Sequence, residues 1–470
     1  MNCASAVDMI NDLTLIGLIT DNIITPTNAK RPSDEMIDRW ACTAALGEKD
    51  ARAIAIWAIR ESALAAGIVP ASIQGLYMAC AEGKWGNKTV PAMNLRGWSY
   101  NTIRSVFRAA KQLNANMFIF EQSISETIFA DQPPVEYTAA ALAAALREGY
   151  KGPIFMQADH DQVNAKSYHE NPEKEINRLK EMMKKQIDAD FFNIDIDAST
   201  VVDLSLSTVE DQQRLNAELT ALFTAYIRSH EPKDITISLG AEIGEVGHHN
   251  TTAEELRAFM SVYPKSLSKT GKKIEGVSKI SVNSGTYHGG NIQPDGTLAP
   301  VNVDYSVLST ISSICQNEYR MAGAVQHGAS TLRGDQLAKM PVNGAIEVHL
   351  ALGFNNLIFD HPSLPQSIKD EIRDYVFANH AHERGENETD AQFLYNIRKK
   401  SWKIIKKKFW ELPETIQNDI MNSLQKMFYD MFVWMNIQNT FDLVAQYTHI
   451  VVIHPHIPEE LSRHLKNRKS

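Results

Sequence analysis

The stretch Pro153-Ile-Phe-Met-Gln-Ala-Asp-His160 decides the fold that we predict for this chain. It begins with a mostly apolar run, which is typical of a short buried strand, and a polar loop and a charged helix follow it. Asp159 and His160 are unfavourable in a core, but the carboxyl ends of parallel strands face a cleft in which such groups bind ligands. The segment therefore predicts one βα unit of a parallel sheet, and a strand end that is polar without a function is the alternative.

The same pattern repeats along the middle of the chain. Apolar segments of strand length alternate with helical patterns long enough for right-handed crossovers. The predicted strands are Thr89–Leu95, Met117–Gln122, Pro153–Ala158, Phe191–Asp197, Ile235–Glu242, Ser278–Asn283, Ala324–Gln326 and Ala345–Leu352. The clearest predicted helices are Thr102–Leu113, Tyr137–Glu148, Glu173–Ile187, Val209–Ser229 and Ala253–Val262. This alternation predicts an α/β fold, a (β/α)8 TIM barrel over residues 88–362, with a doubly wound sheet as the alternative.

Helical patterns flank the predicted barrel on both sides. Residues 1–87 form a predicted N-terminal helical extension, in which Ala51–Ile59 has the spacing of a buried helix face. Residues 363–470 form a predicted C-terminal helical region. Its Met, Phe and Trp side chains between Met427 and Met435 are more typical of a core or of a contact between copies of the chain than of a cofactor site. We therefore predict three regions and a homo-oligomer, a dimer or larger.

The composition narrows the class of protein. The chain has 470 residues, 44% of them hydrophobic, and its formal net charge of -9 argues against general nucleic-acid binding. The basic segment Arg398–Lys408 is interleaved with apolar residues, which is typical of the solvated side of an amphipathic helix. The dispersed cysteines form no CxxC pair, no secretory signal is recognisable, and no apolar run reaches the length of a membrane span. These features predict a cytoplasmic protein with reduced thiols and no membrane contact.

Polar residues stand at the ends of the predicted strands. In chain order these ends carry Asn94, Glu121–Ser123, Asp159-His160, Asp195 and Asp197, Glu242, Gly285–Gly290 and His327–Ser330. His160, His288 and His327 stand at three different ends, so a barrel would bring three imidazoles to one mouth. Three imidazoles with an open fourth position form a zinc site that can polarise a carbonyl. A lone histidine is more often structural, so this prediction depends on all three positions matching.

Small residues follow two of these histidines. In His288-Gly289-Gly290 and His327-Gly328-Ala329-Ser330, glycine lets backbone N–H groups approach an anion and Ser330 adds a hydroxyl donor. Both loops follow late strands of the predicted barrel, near the usual phosphate site of that fold. The loops therefore indicate a phosphorylated small molecule.

Several short segments occur in the order in which one known family has them. They are Val90–Asn94, Ala158–His160, Ala241–Gly244, Gly285–Gly289 and Val325–Ser330. On these segments the chain resembles the class II, zinc-dependent ketose-bisphosphate aldolases, which include fructose-bisphosphate and tagatose-bisphosphate aldolases. The resemblance spans most of the predicted barrel. It implies a TIM barrel, a Zn2+ cofactor with a second divalent or a monovalent cation as an option, and a sugar phosphate as substrate.

The resemblance also implies a role for each matching residue. His160, His288 and His327 would be zinc ligands, and Glu242 would be an alternative carboxylate ligand when the metal shifts. Asp159 would exchange a proton with the hydroxyl at the new carbon–carbon bond. The residues that would line the substrate pocket or hold the phosphate are Asn94, Ser123, Gly289, Gly328 and Ser330.

The proton-abstracting base is one point at which the sequence departs from the family. The loop after the fifth predicted strand reads Gly244-Glu-Val-Gly-His-His-Asn-Thr-Thr252 and has no acid at the expected offset. The available acids are Glu245, Glu254 and Glu255, and we predict Glu245 as the catalytic base.

The eighth predicted strand is the second departure. In an ungapped match, His349 stands where the family presents an asparagine, Ala351 where it has an Asp or Ala, and Leu352 where it has a threonine that contacts phosphate. We predict His349 as a substrate contact, with Asn355 or Asn356 as the substitutes for the lost phosphate contacts.

These observations leave three hypotheses for the function. The first is an aldolase, a lyase of glycolysis and carbohydrate metabolism that reversibly cleaves fructose 1,6-bisphosphate to dihydroxyacetone phosphate and glyceraldehyde 3-phosphate. The second is a non-catalytic, aldolase-like subunit that supports a partner enzyme, and the third is a metal-dependent lyase with another substrate. Three histidines and Asp159 favour an enzyme, because a scaffold has no use for a costly polar cluster around a cleft.

Overall fold

Parallel strands close into a barrel in the computed structural model of this chain. The structure describes residues 3–21, 23–25, 30–243, 249–271, 274–285, 293, 302–329 and 332–467. Its strands are β1 (Ile19–Thr20), β2 (Ile23–Ile24), β3 (Ile68–Pro70), β4 (Val90–Asn94), β5 (Ile119–Ser123), β6 (Gly152–Gln162), β7 (Asn193–Asp197), β8 (Ser238–Glu242), β9 (Lys279–Val282), β10 (Gly323–Gln326) and β11 (Ala345–Leu350). Strands β4 to β11 pair in sequence order, and β11 pairs in parallel with β4, from Glu347 against Val90 to Leu350 against Met93. This last pairing closes the ring, confirms the predicted (β/α)8 TIM barrel and excludes the doubly wound sheet.

Helices surround the barrel and fill both flanking regions. Those of the N-terminal half are α1 (Ala6–Leu15), α2 (Asp34–Leu46), α3 (Lys49–Ala65), α4 (Gln74–Ala81), α5 (Ser99–Leu113), α6 (Ile124–Phe129), α7 (Pro134–Glu148), α8 (Ala165–Glu170), α9 (Pro172–Asp188) and α10 (Val209–His230). The others are α11 (Ala253–Ser268), α12 (Tyr305–Tyr319), α13 (Gly334–Leu337), α14 (Leu352–Asp360), α15 (Gln366–Asn379), α16 (Asp390–Ile397), α17 (Trp402–Glu411), α18 (Glu414–Trp434), α19 (Phe441–Tyr447) and α20 (Glu459–Asn467). Short 3-10 turns lie at Ser199–Val201, Pro341–Asn343, Ala381–Glu383 and Arg398–Ser401.

The strands match the predicted segments within a few residues, with one informative exception. Strand β6 continues to Gln162, four residues beyond the predicted end at Ala158. Its pairing with β7 changes register between Ala158 and Asp161, which marks a β-bulge. Asp159 and His160 therefore lie within the strand and not in the loop after it.

Both flanking regions are packed against the barrel. Strand β3 extends the sheet by pairing in parallel with the start of β6. On the C-terminal side, the ring of Phe432 on α18 stacks on Phe118 with 5.4 Å between centroids. Phe428, Phe432 and Met435 are fully buried, so this part of the aromatic cluster is core. The region boundaries at 87/88 and 362/363 stay predictions.

Among the helices that the structure describes, none combines the length and the apolar character needed to cross a membrane.

The contact between Gly97 and Trp402 offers a test of the packing between barrel and C-terminal region. Gly97 has φ +77°, and a Cβ at this position would overlap the indole of Trp402. Gly149 also has a positive φ, +64°, but a Cβ added there would have no other atom within 4 Å. We expect Gly149→Ala to cost only the backbone strain of about 1 kcal/mol, and Gly97→Ala to cost an additional ~1–3 kcal/mol from overpacking.

The measurement is the midpoint of thermal unfolding of the two variants against the wild type. Equal midpoints for Gly97→Ala and Gly149→Ala would contradict the close packing of Trp402 on the barrel.

Candidate active site

The polar strand ends meet in one cleft at the carboxyl end of the barrel. The cleft has a volume of about 1160 Å³. Asp159, His160, His327 and His349 line it from the barrel, and Lys399 is among the residues that line it from the C-terminal region. The site is therefore built from the barrel strands and from a segment outside the predicted barrel.

The bulge in β6 explains how two consecutive residues reach the same cleft. In a regular strand, neighbouring side chains point to opposite faces. His160 instead has φ +50°, in the left-handed region, at the point where the register shifts. Its imidazole Nδ1 lies 2.9 Å from Glu242 Oε2, while Asp159 Oδ1 lies 3.0 Å from His349 Nδ1. The backbone strain of a non-glycine residue at positive φ is thus located at the functional site.

The imidazoles of His160, His327 and His349 form a compact cluster. The ring centroids of His160 and His327 are 4.2 Å apart, and those of His327 and His349 are 4.1 Å apart. His327 is buried, and its Nε2 lies 2.8 Å from Ser281 Oγ. His160 Nδ1 lies 3.5 Å from Asp197 Oδ2 as well as close to Glu242. Carboxylates and a hydroxyl thus fix the orientation of the rings.

Carboxylates flank both ring nitrogens of His349. Nδ1 lies 2.9 Å from Glu121 Oε2 and 3.0 Å from Asp159 Oδ1. On the other side, Nε2 lies 2.6 Å from Glu347 Oε1 and 3.5 Å from Asp195 Oδ2. The predicted contact of His349 with substrate stays a prediction, and the structure shows its nitrogens directed at acids.

Burial and these acids shift the pKa values of the site. Burial by itself lowers the pKa of His160, but the Asp159 and Glu242 carboxylates more than offset it, so this pKa lies well above its ordinary value. The pKa of His349 is raised well above its ordinary value in the same way, with Glu121 and Asp159 among the causes that outweigh burial. Burial, with repulsion from Asp159, raises the pKa of Glu121 to about 7. The carboxylates around His160 and His349 therefore stabilise the protonated forms of these two imidazoles.

The donor atoms fit a divalent metal ion. Atoms from Asp159, His160, His327 and His349 all lie within 4.8 Å of one another, and so do atoms from His160, Asp197 and Glu242. Imidazole and carboxylate are the ligands that zinc takes in catalytic sites, and further carboxylates commonly orient such ligands. His160 belongs to both groups, so a metal at either one would contact the bulge.

The other predicted residues are placed as follows. Asn94 is buried, and its Oδ1 accepts a hydrogen bond from Arg96 Nε at 3.2 Å. Ser123 and Gly328 line the cleft, and Gly328 has φ +67°. Four predicted positions lie outside the described residues, namely Glu245, His288, Gly289 and Ser330.

The alternative bases, Glu254 and Glu255, both lie in the first turn of α11. Glu255 forms a capping box with Thr252, and its other carboxylate oxygen lies 3.0 Å from His249 Nε2. Glu254 is exposed. Because Glu255 is engaged in capping, Glu245 stays the predicted base.

Cationic side chains border the cleft. Arg96 pairs with Glu126 at 2.5 Å, Arg178 pairs with Glu175 at 2.6 Å, and Lys400 pairs with Glu383. Lys399 has no carboxylate partner among the residues that the structure describes. Burial, with repulsion from Arg96, lowers the pKa of Lys399 to about 8.

Three residues in or beneath the site are not predicted from the sequence as functional. The pattern around Lys399 predicts a solvated helix face, and Lys279 and Glu347 belong to segments predicted only as strands. A signal was present in the strands, because Lys279 and Glu347 each stand two positions before a site residue, Ser281 and His349, and residues two apart share one face of a strand. No local signal identifies Lys399, because its place in the cleft depends on the fold of the C-terminal region.

Comparisons with known proteins agree with this architecture. The family model of class II fructose-bisphosphate aldolases matches residues 76–412. Comparison of the sequence with curated proteins gives no match.

Several solved structures are similar to this chain at low sequence identity. A probable tagatose 6 phosphate kinase from Sinorhizobium meliloti 1021 has a TM-score of 0.52 at 15% identity, with 76% of this chain and 98% of that chain covered. A fructose-bisphosphate aldolase from Campylobacter jejuni has a TM-score of 0.45 at 16% identity, covering 79% of this chain and 96% of that chain. A fructuronate-tagaturonate epimerase from Cohnella laeviribosi has a TM-score of 0.48 at 11% identity, covering 75% of this chain and 82% of that chain. At 15% identity, the likeness to the Sinorhizobium meliloti protein concerns the fold alone.

The family match extends from helix α4, through every strand of the barrel, to the end of α17. The family acts on sugar phosphates and is typically metal dependent, which agrees with candidate metal ligands at the barrel mouth. The chain therefore belongs to the class II fructose-bisphosphate aldolase family and is an enzyme of the lyase class.

Proposed function

We propose that this chain is a zinc-dependent aldolase that reversibly cleaves fructose 1,6-bisphosphate to dihydroxyacetone phosphate and glyceraldehyde 3-phosphate. The observation that carries the proposal is the meeting of His160 and His327 with Asp159 at one barrel mouth, with 4.2 Å between the two imidazole centroids. We also propose that it acts in glycolysis in the cytoplasm as a homo-oligomer. The assignment to glycolysis rests on the family, and the location and the oligomer rest on the sequence patterns described above.

His160 and His327 are the described residues that would hold the zinc ion, with Glu242 as an alternative ligand. His288 completes the predicted set. A bound zinc ion supplies a Lewis acid that polarises the ketose carbonyl and stabilises negative charge developing on its oxygen. Glu242 and Asp197, which contact His160, orient its imidazole for this purpose.

Asp159 is the residue that we assign to one proton transfer. In the cleavage direction, its carboxylate accepts the proton of the hydroxyl on the carbon that becomes the aldehyde. In the synthetic direction, it returns the proton to the same oxygen. His349, 3.0 Å from Asp159 Oδ1, holds the carboxylate in place. We assign the proton at the donor carbon to Glu245.

The cations at the cleft support a phosphorylated substrate. Arg96, Arg178 and Lys400 have carboxylate partners, whereas Lys399 is partly buried beside Arg96 and retains its charge for a ligand. We propose that Lys399 attracts a substrate phosphate, in compensation for the phosphate contacts missing after β11. Ser123 and Gly328 also line this cleft.

The second candidate is a metal-dependent lyase with another substrate. His349 favours it, because an imidazole enclosed by acids replaces the family's asparagine at the substrate. Turnover of a ketose other than fructose 1,6-bisphosphate by the zinc-loaded protein would select this candidate. A non-catalytic subunit would be indicated by purification with an aldolase partner and no activity of its own.

The direct test is cleavage of fructose 1,6-bisphosphate by zinc-loaded protein. We expect turnover that a chelator abolishes and that added zinc restores, because the Lewis acid is part of the site. The measurement is the rate of triose phosphate release, coupled to a dehydrogenase. A zinc-free protein that turns over at the same rate would contradict the proposal.

Replacement of the proposed ligands should remove the metal. We expect His160→Ala and His327→Ala each to weaken zinc binding by at least about tenfold, the lower bound for the loss of a supporting residue at a metal site. His169→Ala, which changes an exposed histidine of α8, is the control and should keep full zinc content. Zinc per chain is measured by atomic emission after dialysis, with circular dichroism as the check on folding. Full zinc content in both ligand variants would contradict the assignment.

Lys399 should make activity depend on pH. Its pKa of about 8 means that it is charged at lower pH and loses its proton as the pH rises through 8. The affinity for a phosphate should fall with that charge, so kcat/KM should fall above about pH 8. Lys399→Met should lower kcat/KM roughly tenfold at pH 7, which is the scale of one charged hydrogen bond, and should remove this limb of the profile.

Lys403→Met, which removes an exposed lysine from α17, is the matched control and should leave the profile unchanged. A pH limb near 8 that persists in Lys399→Met would rule out Lys399 as its source.

A further inference from the structure

A charged layer fills the barrel interior beneath the site. Lys279 Nζ lies 2.6 Å from Glu347 Oε1, 2.9 Å from Gln157 Oε1 and 3.0 Å from Asp195 Oδ2. All four residues are at most 4% exposed. Branched apolar side chains usually fill this layer in TIM barrels, and burial of charges is costly unless they are closely paired. None of the proposed reaction steps involves Lys279, Glu347 or Gln157.

Two residues of this layer are joined by strand geometry to residues of the site. Glu347 and His349 are two positions apart on β11, and Gln157 and Asp159 are two positions apart on β6, so each pair shares one face. Glu347 Oε1 lies 2.6 Å from His349 Nε2. His349 Nδ1 in turn lies 3.0 Å from Asp159 Oδ1. A continuous chain of contacts therefore runs from Lys279 through Glu347 and His349 to the Asp159 carboxylate.

Helix α4 supplies the other end of this chain. The Tyr77 hydroxyl donates a hydrogen bond to Glu347 Oε2, the oxygen that does not face Lys279 and His349. Tyr77 is fully buried, and burial together with the charge of Glu347 raises its pKa well above the ordinary value. Tyr77 therefore keeps its proton and remains a donor to Glu347.

Gly240 on β8 leaves the space that this layer requires. A Cβ at Gly240 would overlap Asp195 Oδ1 and lie 2.9 Å from Lys279 Cε. An alanine here would push the Asp195 and Lys279 side chains apart. The close ion pair in the layer thus depends on the missing side chain.

We propose that Tyr77, Lys279 and Glu347 are positioning residues that fix His349, and that His349 fixes Asp159 in the orientation for proton transfer. The role of Asp159 rests on the proposed function. The position of Asp159 does not, so the two claims can be tested separately. We call the contacts that run from Tyr77 and Lys279 through Glu347 to His349 the brace. The brace begins on α4 in the N-terminal region and ends at His349, which stands where the family has an asparagine on the eighth barrel strand.

Tyr77→Phe is the sharpest test, because it removes one hydroxyl and leaves the ring in place. We expect kcat for fructose 1,6-bisphosphate cleavage to fall roughly five- to tenfold, the scale of one hydrogen bond. KM should change by a smaller factor than kcat, because the residue that His349 fixes, Asp159, acts on the proton. Zinc content should stay at the wild-type value, because His160 and His327, the proposed ligands, receive no contact from Tyr77. Tyr263→Phe removes another buried hydroxyl, which contacts Thr224 and Val277, and should leave kcat unchanged.

Gly240→Ala tests the layer from the opposite side of the barrel. We expect the same loss in kcat with a smaller change in KM, and Lys279→Met should give a larger loss in kcat if it folds. A kcat for Tyr77→Phe and Gly240→Ala equal to that of Tyr263→Phe would overturn the proposal, and so would a change confined to KM.

Crystal structures of the wild type and of Tyr77→Phe test the positioning of His349 independently of the catalytic function. If Tyr77 fixes His349, then His349 moves in the variant and the distance from its Nδ1 to Asp159 Oδ1 becomes longer. An unchanged contact overturns the inference whether or not the wild type is an aldolase. If the wild type cleaves no ketose bisphosphate, the proposed function fails, and a lengthened contact still supports the brace.

Discussion

The β-bulge at Asp159 and His160 is the constraint on which the site depends. A regular strand would send one of these two side chains into the cleft and the other toward the surrounding helices. The shifted register between Ala158 and Asp161, together with φ +50° at His160, turns both toward the barrel mouth. His160 can then contact Glu242 while Asp159 contacts His349. The two functions proposed for this pair, holding a metal and moving a proton, depend on both side chains facing the cleft, and this local strain makes that possible.

The site is completed from two sides, by the interior of the barrel beneath the bulge and by the C-terminal region over the barrel mouth. Below, a charged layer around Lys279 replaces the usual apolar filling and contacts His349 through Glu347. Above, the C-terminal region packs Trp402 against Gly97 and brings Lys399 to the cleft. The regions outside the strands are thus parts of the same site.

The sequence predicted the barrel and the polar strand ends because both have local signals. Apolar runs alternate with amphipathic helices, and Asp159, His160 and His327 follow such runs directly. The bulge has no such signal, because the residues Asp159 and His160 are equally compatible with a regular strand end. Apolar content predicts the strands that contain Lys279 and Glu347 but not the role of these two residues, because that role depends on which face of each strand meets the barrel interior. The place of Lys399 depends on the packing of its 3-10 turn, Arg398–Ser401, against α6 of the barrel. These two elements are far apart in the chain, and no periodicity encodes such packing.

The measurement that tests this account most directly is the crystal structure of the zinc-loaded protein with a ketose phosphate, with anomalous diffraction at the zinc edge. The account predicts an anomalous peak beside the imidazoles of His160 and His327, and the Asp159 carboxylate within hydrogen-bond distance of a substrate hydroxyl. A peak away from both imidazoles, or a substrate hydroxyl out of reach of Asp159, would contradict it.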